Sequence, residues 1–400
     1  MGQSPESDAY NFDGTGLPFL QGCADFGYIS PATSAYCVRP PKTAAPGAVL
    51  VSVRAPVGTL NIAQTRYGIG RGLCAVSAKD GITTAKFLYY SLAGFISDLA
   101  RESTGSTYDA VSASDVGNLA LWVPSVHSQV WIPGYLDRQT GQIDELVKTK
   151  VRLIELLDEK RAALISRAVT QGLDPGVPMK DSGVAWLGCI PAHWSAPKAK
   201  YVSRIFVPAR DKPNLKDTGD LRDFPWITLD EVRTSASITR SVATRWVEQT
   251  DLNASGGRVL PAGSVIASCV GEFGLSAIAD DPCVVNQQLQ AYARPILNAE
   301  FLRHCVEAGR QYFESVATTT TIRYINQDRF ANLPLPRPTL DEQRQIISYI
   351  KCLELEINGM RQKVSAVIGR LREYRSALIT AAVTGQLDIR AHEKKMESLV

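Results

Sequence analysis

Running from Ile350, the apolar positions Leu353, Ile357, Met360, Val364, Val367, Leu371, Tyr374 and Leu378 advance in steps of three and four, the heptad seam of a long helix. A second run keeps the same phase through Leu136, Ile143, Leu146, Leu153, Leu157 and Leu164. There Lys150 and Lys160 stand where the other run has Val364 and Tyr374. A helix of about forty residues is roughly 60 Å long, far beyond the globular average, and needs a partner for its stripe. Burial of the two stripes against each other is the simplest expectation; packing of each helix on its own domain is the alternative. Because proline is tolerated only in the first turn of a helix, Pro133 predicts that the first long helix starts at or after it, later than the second.

Ahead of each helix the period changes. AVLVSVRAPVG and SVIASCVGEFG are β-branched strands that end in turn residues, while TAKFLYYSLAGFISDLARES and NAEFLRHCVEAGRQYFESVA have the apolar spacing of short helices. Hydroxyl-rich stretches follow, STGSTYDAVSASDV in one case and TTTTIRYINQDRF in the other. Thr318 to Thr321 beside Arg323 and Tyr324 offer donors, a cation and an aromatic ring, which suit phosphate and base-edge contacts, although a solvated loop has the same composition.

These parallels are a repeat. Tyr135 to Asp174 aligns without a gap on Tyr349 to Asp388, with identities at Ile143/Ile357, Leu157/Leu371, Arg161/Arg375, Ala163-Leu164-Ile165/Ala377-Leu378-Ile379 and Ala168-Val169-Thr170/Ala382-Val383-Thr384. Upstream, Gly47 to Ser52 mirrors Gly263 to Ser268, and Leu73/Leu289, Ala75/Ala291 and Pro124/Pro338 keep step. The chain is therefore one unit written twice, each a mixed domain followed by a long helix. The second mixed domain runs about 35 residues before the point that aligns with Met1, so the first is apparently N-terminally short and its sheet is expected to be incomplete.

Composition narrows the chemistry. Of 400 residues, 45% are hydrophobic and 21% charged, the balance of a chain with real cores. Lys and Arg total 43 against 40 Asp and Glu, a net charge of +3 that neither identifies nor excludes a nucleic-acid binder. No apolar run reaches membrane-spanning length, so a cytoplasmic protein without membrane contact is expected. Eight cysteines and four histidines are dispersed without a CxxC pair, so neither a disulfide framework nor a metal site is expected. Phosphate-loop, HExxH and GxSxG motifs are missing. Gly68-Ile69-Gly70-Arg71-Gly72 lacks dinucleotide-loop spacing and is read as a turn, Asp281-Pro282-Cys283 falls short of an amino-methyltransferase loop, and Asp158-Glu159-Lys160 is read as solvated helix charge. A duplicated chain with no catalytic constellation is most economically a binding subunit, and the expected catalytic set is empty.

GVAWLGCIPAHW at 183–194, the helix LDRQTGQIDELVKTKVRLIELLDEKRAALISRAVTQGLDP, LPLPRPTLDEQRQIISYI at 333–350 and the opening MGQSPESDAYNFDGTGLPFLQGCADFG closely resemble the specificity subunit of type I restriction-modification systems. The resemblance covers nearly the whole chain. It implies an α+β fold with two mixed α/β target-recognition domains separated by two long antiparallel coiled-coil helices, a pseudo-twofold internal repeat. Its divisions are a first target-recognition domain at 1–132, a first spacer helix at 133–175, a second domain at 182–338, a second spacer helix at 340–390 and a tail at 391–400. Each domain would read one half of a bipartite site on double-stranded DNA. At ~3.4 Å per base pair, helices of about 60 Å would hold the readers on the order of ten to eighteen base pairs apart. Partners would be two methyltransferase subunits and restriction subunits. DNA adenine methylation, ATP-dependent cleavage and the binding of S-adenosylmethionine, ATP and Mg would belong to those partners, so this chain would carry no cofactor. A non-catalytic coiled-coil scaffold is the competing reading.

Side-chain geometry nominates DNA contacts, since Arg can be bidentate to guanine, Gln to adenine, and Lys or hydroxyls can meet phosphate. For the first domain these are Gln3, Ser4, Arg39, Lys42, Arg54, Arg71, Ser106, Thr107 and Tyr108; for the second, Arg210, Lys212, Lys216, Arg240, Arg245, Gln287, Thr319, Thr320, Arg323 and Tyr324.

Overall fold

The computed structural model describes residues 1–6, 9–103, 111–208, 211–220, 222–318 and 322–389. The chain divides into two compact units, one of residues 1–152 with 363–400 and the other of residues 153–362. Each unit thus contains one mixed domain, part of its own long helix and part of the other long helix. No helix among the described residues is long and apolar enough to cross a membrane.

In the first unit, β1 (Tyr10–Asn11), β2 (Leu17–Leu20), β3 (Tyr36–Cys37), β4 (Thr43–Ala44) and β7 (Tyr67–Ile69) form a sheet in the order β1-β3-β2-β7-β4. β5 (Val49–Ser52) lies between β6 (Leu60–Ile62) and β8 (Leu73–Val76) in a second, three-stranded sheet, all antiparallel. Helices α1 (Ala85–Ser103), α2 (Ala113–Gly117) and the start of α3 (Val126–Gln171) follow. All four residues of β5 are buried, as its β-branched sequence dictates.

The second unit opens with the hairpin β9 (Met179–Asp181) and β10 (Cys189–Pro191), then adds β11 (Arg204–Phe206), β12 (Phe224–Ile227), β13 (Ser237–Ile238), β14 (Trp246–Val247), β15 (Ser264–Ser268), β16 (Ser276–Ala279), β17 (Val284–Val285) and β18 (Leu289–Ala293). Its sheets run β11-β18-β15-β16-β13 and β14-β12-β17. Helices α4 (Leu229–Thr234), α5 (Gln249–Ala254), α6 (Ala299–Ala308), α7 (Arg310–Val316), α8 (Gln327–Ala331) and α9 (Leu340–Val383) complete the order. α6 and α7 replace the single short helix that the spacing predicts. The break falls at Gly309, where a Cβ would come within 3.0 Å of the Cys305 carbonyl oxygen.

The repeat extends to individual backbone hydrogen bonds. Ser52 N–H donates to Thr59 O and Val53 N–H to Gly72 O, while Val111 N–H donates to Val53 O; Ser268 to Leu275, Cys269 to Gln288 and Ile325 to Cys269 reproduce all three. The parallel pair β2–β7 recurs as β12–β17. The sheets differ at both edges: β13 covers β16 in the second unit, whereas β6 in the first has no outer strand among the described residues. β11 covers β18 in the second unit, whereas β8 in the first has no strand on that side among the described residues.

The start of α3 corrects the expectation drawn from Pro133. The helix begins at Val126 and carries Pro133 inside it, so both long helices start at equivalent positions. Proline removes the donor that would bond Gln129 O. That carbonyl instead accepts from the Thr84 hydroxyl at 3.4 Å, and so the break is avoided.

Both expected ways of burying the seam are realised together. In the first unit Ile143 packs with Leu378, Ile379 and Ala382 and also with Phe87 and Tyr90 of α1. In the second, Ile165 and Val169 join Ile346, Ile350, Leu353 and Ile357 in a core that includes Trp194 and Phe301. The helices are antiparallel within each unit, with Asp144 paired to Arg375 in one and Asp158 to Arg361 in the other. Leu146, Leu153, Met360, Val367 and Tyr374 of the seam remain exposed.

Candidate nucleic-acid interface

In the first unit, tight packing of a glycine-flanked turn gathers several of the nominated residues. A Cβ on Gly68 would strike Pro40 and Phe19, and one on Gly70 would strike Gln21, so this strand end admits glycine only. Gln3 N–H donates to Ile69 O, and Ile69 N–H donates to Lys42 O. The Ser4 hydroxyl accepts from the Gln21 amide at 2.8 Å, and Tyr10 O–H donates to the other end of that amide at 3.2 Å. Gln3, Arg39, Lys42, Arg54 and Arg71 are exposed, and Ser4 is half-buried. Gln21, which holds this corner, carried no signal in the sequence.

In the second unit the nominated residues fall into two groups. One surrounds Cys269: its backbone bonds Gln288 and Ile325, and its Sγ lies 3.7 Å from Gln287 O, which brings the turn holding Gln287 beside Arg323 and Tyr324. Arg323 donates to Glu314 O and lies 5.7 Å from the Phe273 ring centroid. Tyr324 is 45% exposed, and its backbone is held by Thr318. The other group surrounds Trp246. Lys216 is bonded to it through the backbone and forms an ion pair with Glu248, Arg245 is exposed, and Arg240 stacks over the indole at 4.7 Å. The Arg240 guanidinium also donates to the carbonyls of Asp220 and Asp223, both at 2.8 Å, so it ties loops together. Lys212 is exposed. Ser106, Thr107, Tyr108, Arg210, Thr319 and Thr320 lie outside the described residues.

The repeat makes one pairing informative. Arg71 and Gln287 occupy the same place in the two copies, on the turn from β7 to β8 and from β17 to β18, each one residue before the carbonyl that bonds Val53 or Cys269. Both side chains are exposed. One can be bidentate to guanine and the other to adenine.

A buried glutamine joins each mixed domain to its long helix. Gln129 accepts from Thr84 N–H at 3.0 Å and donates to Ile82 O and Pro124 O at 2.7 and 2.9 Å. Gln343 accepts from Asn298 N–H at 2.8 Å and donates to Pro338 O at 3.1 Å. Each is 1% exposed. The second unit adds a clamp that the first lacks. Glu342 closes a capping box with Thr339 and accepts from the Trp194 indole N–H at 3.0 Å and from His193 at 2.7 Å. Burial alone would raise its pKa, but these hydrogen bonds outweigh it and pull the carboxyl down to about 2.

All eight cysteines are free thiols, and burial pushes Cys269 up to about 11 and Cys283 up to about 12. Such thiols are inert at neutral pH. No group of three or more metal-ligating side chains occurs among the described residues.

Residues 206–367 match the family described as the type I restriction modification DNA specificity domain. The MjaX specificity subunit of a type I restriction enzyme from Methanocaldococcus jannaschii is 32% identical over 170 residues, 42% of this chain. That match spans only 39% of the archaeal protein's own length. The EcoDI specificity subunit of Escherichia coli is 21% identical over 365 residues, covering 84% of this chain and 76% of that one. Among solved structures, a chain from a study of complex assembly and conformational transition of the type I R-M system superposes with a TM-score of 0.69 at 16% identity, over 96% of this chain and 94% of that one. Over residues 206–367 the chain is thus similar to the DNA specificity domain of type I restriction-modification systems, and over most of its length to a specificity subunit of such a system.

Proposed function

We propose that this chain is the non-catalytic DNA sequence-recognition subunit of a type I restriction-modification complex. Each mixed domain reads one half of a bipartite site on double-stranded DNA. The long helices set the gap and dock two methyltransferase subunits through exposed seam residues such as Leu146, Leu153, Met360 and Val367. Adenine methylation, ATP-driven cleavage, and the S-adenosylmethionine, ATP and Mg they need reside on methyltransferase and restriction partners in the cytoplasm. The observation that carries this reading is the duplication itself: two domains with the same hydrogen-bonded turn, each fastened to a long helix by the same buried glutamine. Two such readers suit a two-part site.

Arg71 and Gln287 are the leading base contacts, Tyr324 adds a ring near Gln287, and Lys216 belongs to the separate group around Trp246. Methylome sequencing of cells with and without the gene tests the proposal. Loss of one bipartite methylated motif supports it, and an unchanged methylome overturns it in favour of a scaffold. Exchanging residues 182–338 for another reader is expected to change one half-site only.

A further inference from the structure

We infer that Gln290 is a positioning residue of the second reader: its amide locks together the two turns that carry Gln287 and Tyr324 and so sharpens the half-site they read, a role that rests on the recognition function proposed above. Gln290 lies on β18 opposite Ala267 of β15 and is 5% exposed. Burying a primary amide is unfavourable unless its polar atoms are bonded, so the bonds it makes show what it is for.

The side chain reaches both turns. Its Nε2 donates at 3.1 Å to the carbonyl of Ile325, the residue after Tyr324. Burial raises the Cys269 thiol pKa to about 11, and the Gln290 amide, which meets the thiol, pulls against that rise. The thiol in turn donates to Gln287 O at 3.7 Å. Cys269 also holds the two turns through its backbone, its N–H donating to Gln288 O and its carbonyl accepting from Ile325 N–H. Gln290 therefore ties the Tyr324 turn directly, and the Gln287 turn by way of one sulfur atom. The other end of the amide, Oε1, is buried with no hydrogen-bond partner among the described residues. An unmade bond of this kind is destabilising, so the glutamine suits the turns better than it suits the core.

The first unit forms its turns without this link. Cys74 is paired with Val51 as Gln290 is with Ala267, and Val53 stands where Cys269 does. Both are buried, and neither has an amide. The bonds from Val53 N–H to Gly72 O and from Val111 N–H to Val53 O persist there, so the backbone alone suffices to build the turns. What Gln290 adds is a fixed distance between them. Discrimination between bases needs side-chain ends held to about 0.5 Å, and a turn that can shift lets the same side chain accept a second base.

The test replaces the link with the pair that the first unit already accommodates. Cys269→Val with Gln290→Cys, and separately Gln290→Met, which keeps the side-chain length without the donor, are placed in the full chain within the complete system. Methylome sequencing is expected to show the first half-site and the gap unchanged and the second half-site relaxed, with methylation at sites that differ by one base in that half rising on the order of tenfold. Amide exchange in the purified chain is expected to quicken at Gly271 and Ile325, which bond Arg323 O and Cys269 O, and to stay slow in β15. An even fall in methylation at all sites without relaxation would assign Gln290 to stability alone and overturn the inference; so would an unchanged motif, or relaxation of the first half. A methylome indifferent to deletion of the whole gene would instead overturn the recognition role itself.

Discussion

The two units solve the same packing problem with different chemistry. Where α1 meets the long helices in the first unit, Tyr90 donates to Asp137 at 2.7 Å and Lys86 pairs with the same carboxylate at 2.6 Å. At the equivalent positions the second unit has His304, Lys351 and Glu300: the Lys86–Asp137 pair becomes Glu300–Lys351, with its charges exchanged. Tyr89 gives way to Arg303, and a buried trio forms in which Arg303 and His304 both meet Glu307. Burial works against the Glu307 anion, but the His304 hydrogen bond and the charges of Arg303, His304 and Arg161 hold its pKa below the usual carboxylate value. The buried glutamine is unchanged, as are Phe87/Phe301 and Ile143/Ile357 of the apolar contact. The fold therefore tolerates exchange of charge sign and of aromatic for ion pair, but keeps the amide that fixes domain to helix.

The comparison breaks most sharply at Trp194, which the first unit lacks. Trp194→Ala is expected to destabilise the second unit by about 3–5 kcal/mol, as truncation of a buried aromatic does. Amide exchange at Leu335 should accelerate while exchange at Leu121 stays unchanged, and equal acceleration in both would refute the division. Next, Gln129→Leu strands one N–H and two carbonyls and is expected to cost about 3 kcal/mol in chemical denaturation, with Gln343→Leu costing about 2; a loss under about 0.5 kcal/mol for both would mean the amides are ornamental.

Acid separates the units more gently. With a carboxyl depressed from 4.5 to about 2, Glu342 contributes stability that is fully present above the upper value and is lost as pH falls toward the lower. The second unit should therefore weaken between those limits and the first, with Ser128 in that place, should not do so through this group. Glu342→Gln should flatten the difference. The smallest effect belongs to the exposed pair: Lys86→Glu with Asp137→Lys should recover most of what either single change costs, a matter of about 0.5 kcal/mol in a double-mutant cycle.

Repetition made much of this fold legible. The two helices, the strands Val49–Ser52 and Ser264–Ser268 and the incomplete first sheet all follow from aligning the chain with itself. The start of α3 was not legible, because Pro133 is a helix breaker unless another group accepts the freed carbonyl's claim, and Thr84 is 49 positions away in sequence. Gln129 and Gln343 carried one readable signal, their identity amid divergent neighbours, Val-His-Ser-Gln against Leu-Asp-Glu-Gln, but their burial depends on carbonyls that only the fold brings to them. Among candidate contacts, residue type could not separate exposed Arg245 from Arg240, whose guanidinium is committed to two carbonyls that only the folded loops bring to it. Arg71 and Gln287 were named separately, and their equivalence emerged from the shared hydrogen-bonded turn.

The division of both helices between both units constrains how this chain can change its length. Within each unit an antiparallel register is fixed by pairs such as Asp144 with Arg375 and Asp158 with Arg361. A helical insertion near residue 152 keeps both registers only if an insertion of equal length appears near residue 362. A single duplication event in one helix supplies half of that change and leaves the other helix short by the same number of turns. Helix length is thus a two-key lock: it changes by matched pairs of insertions, whereas an exposed turn residue such as Arg71 can change singly.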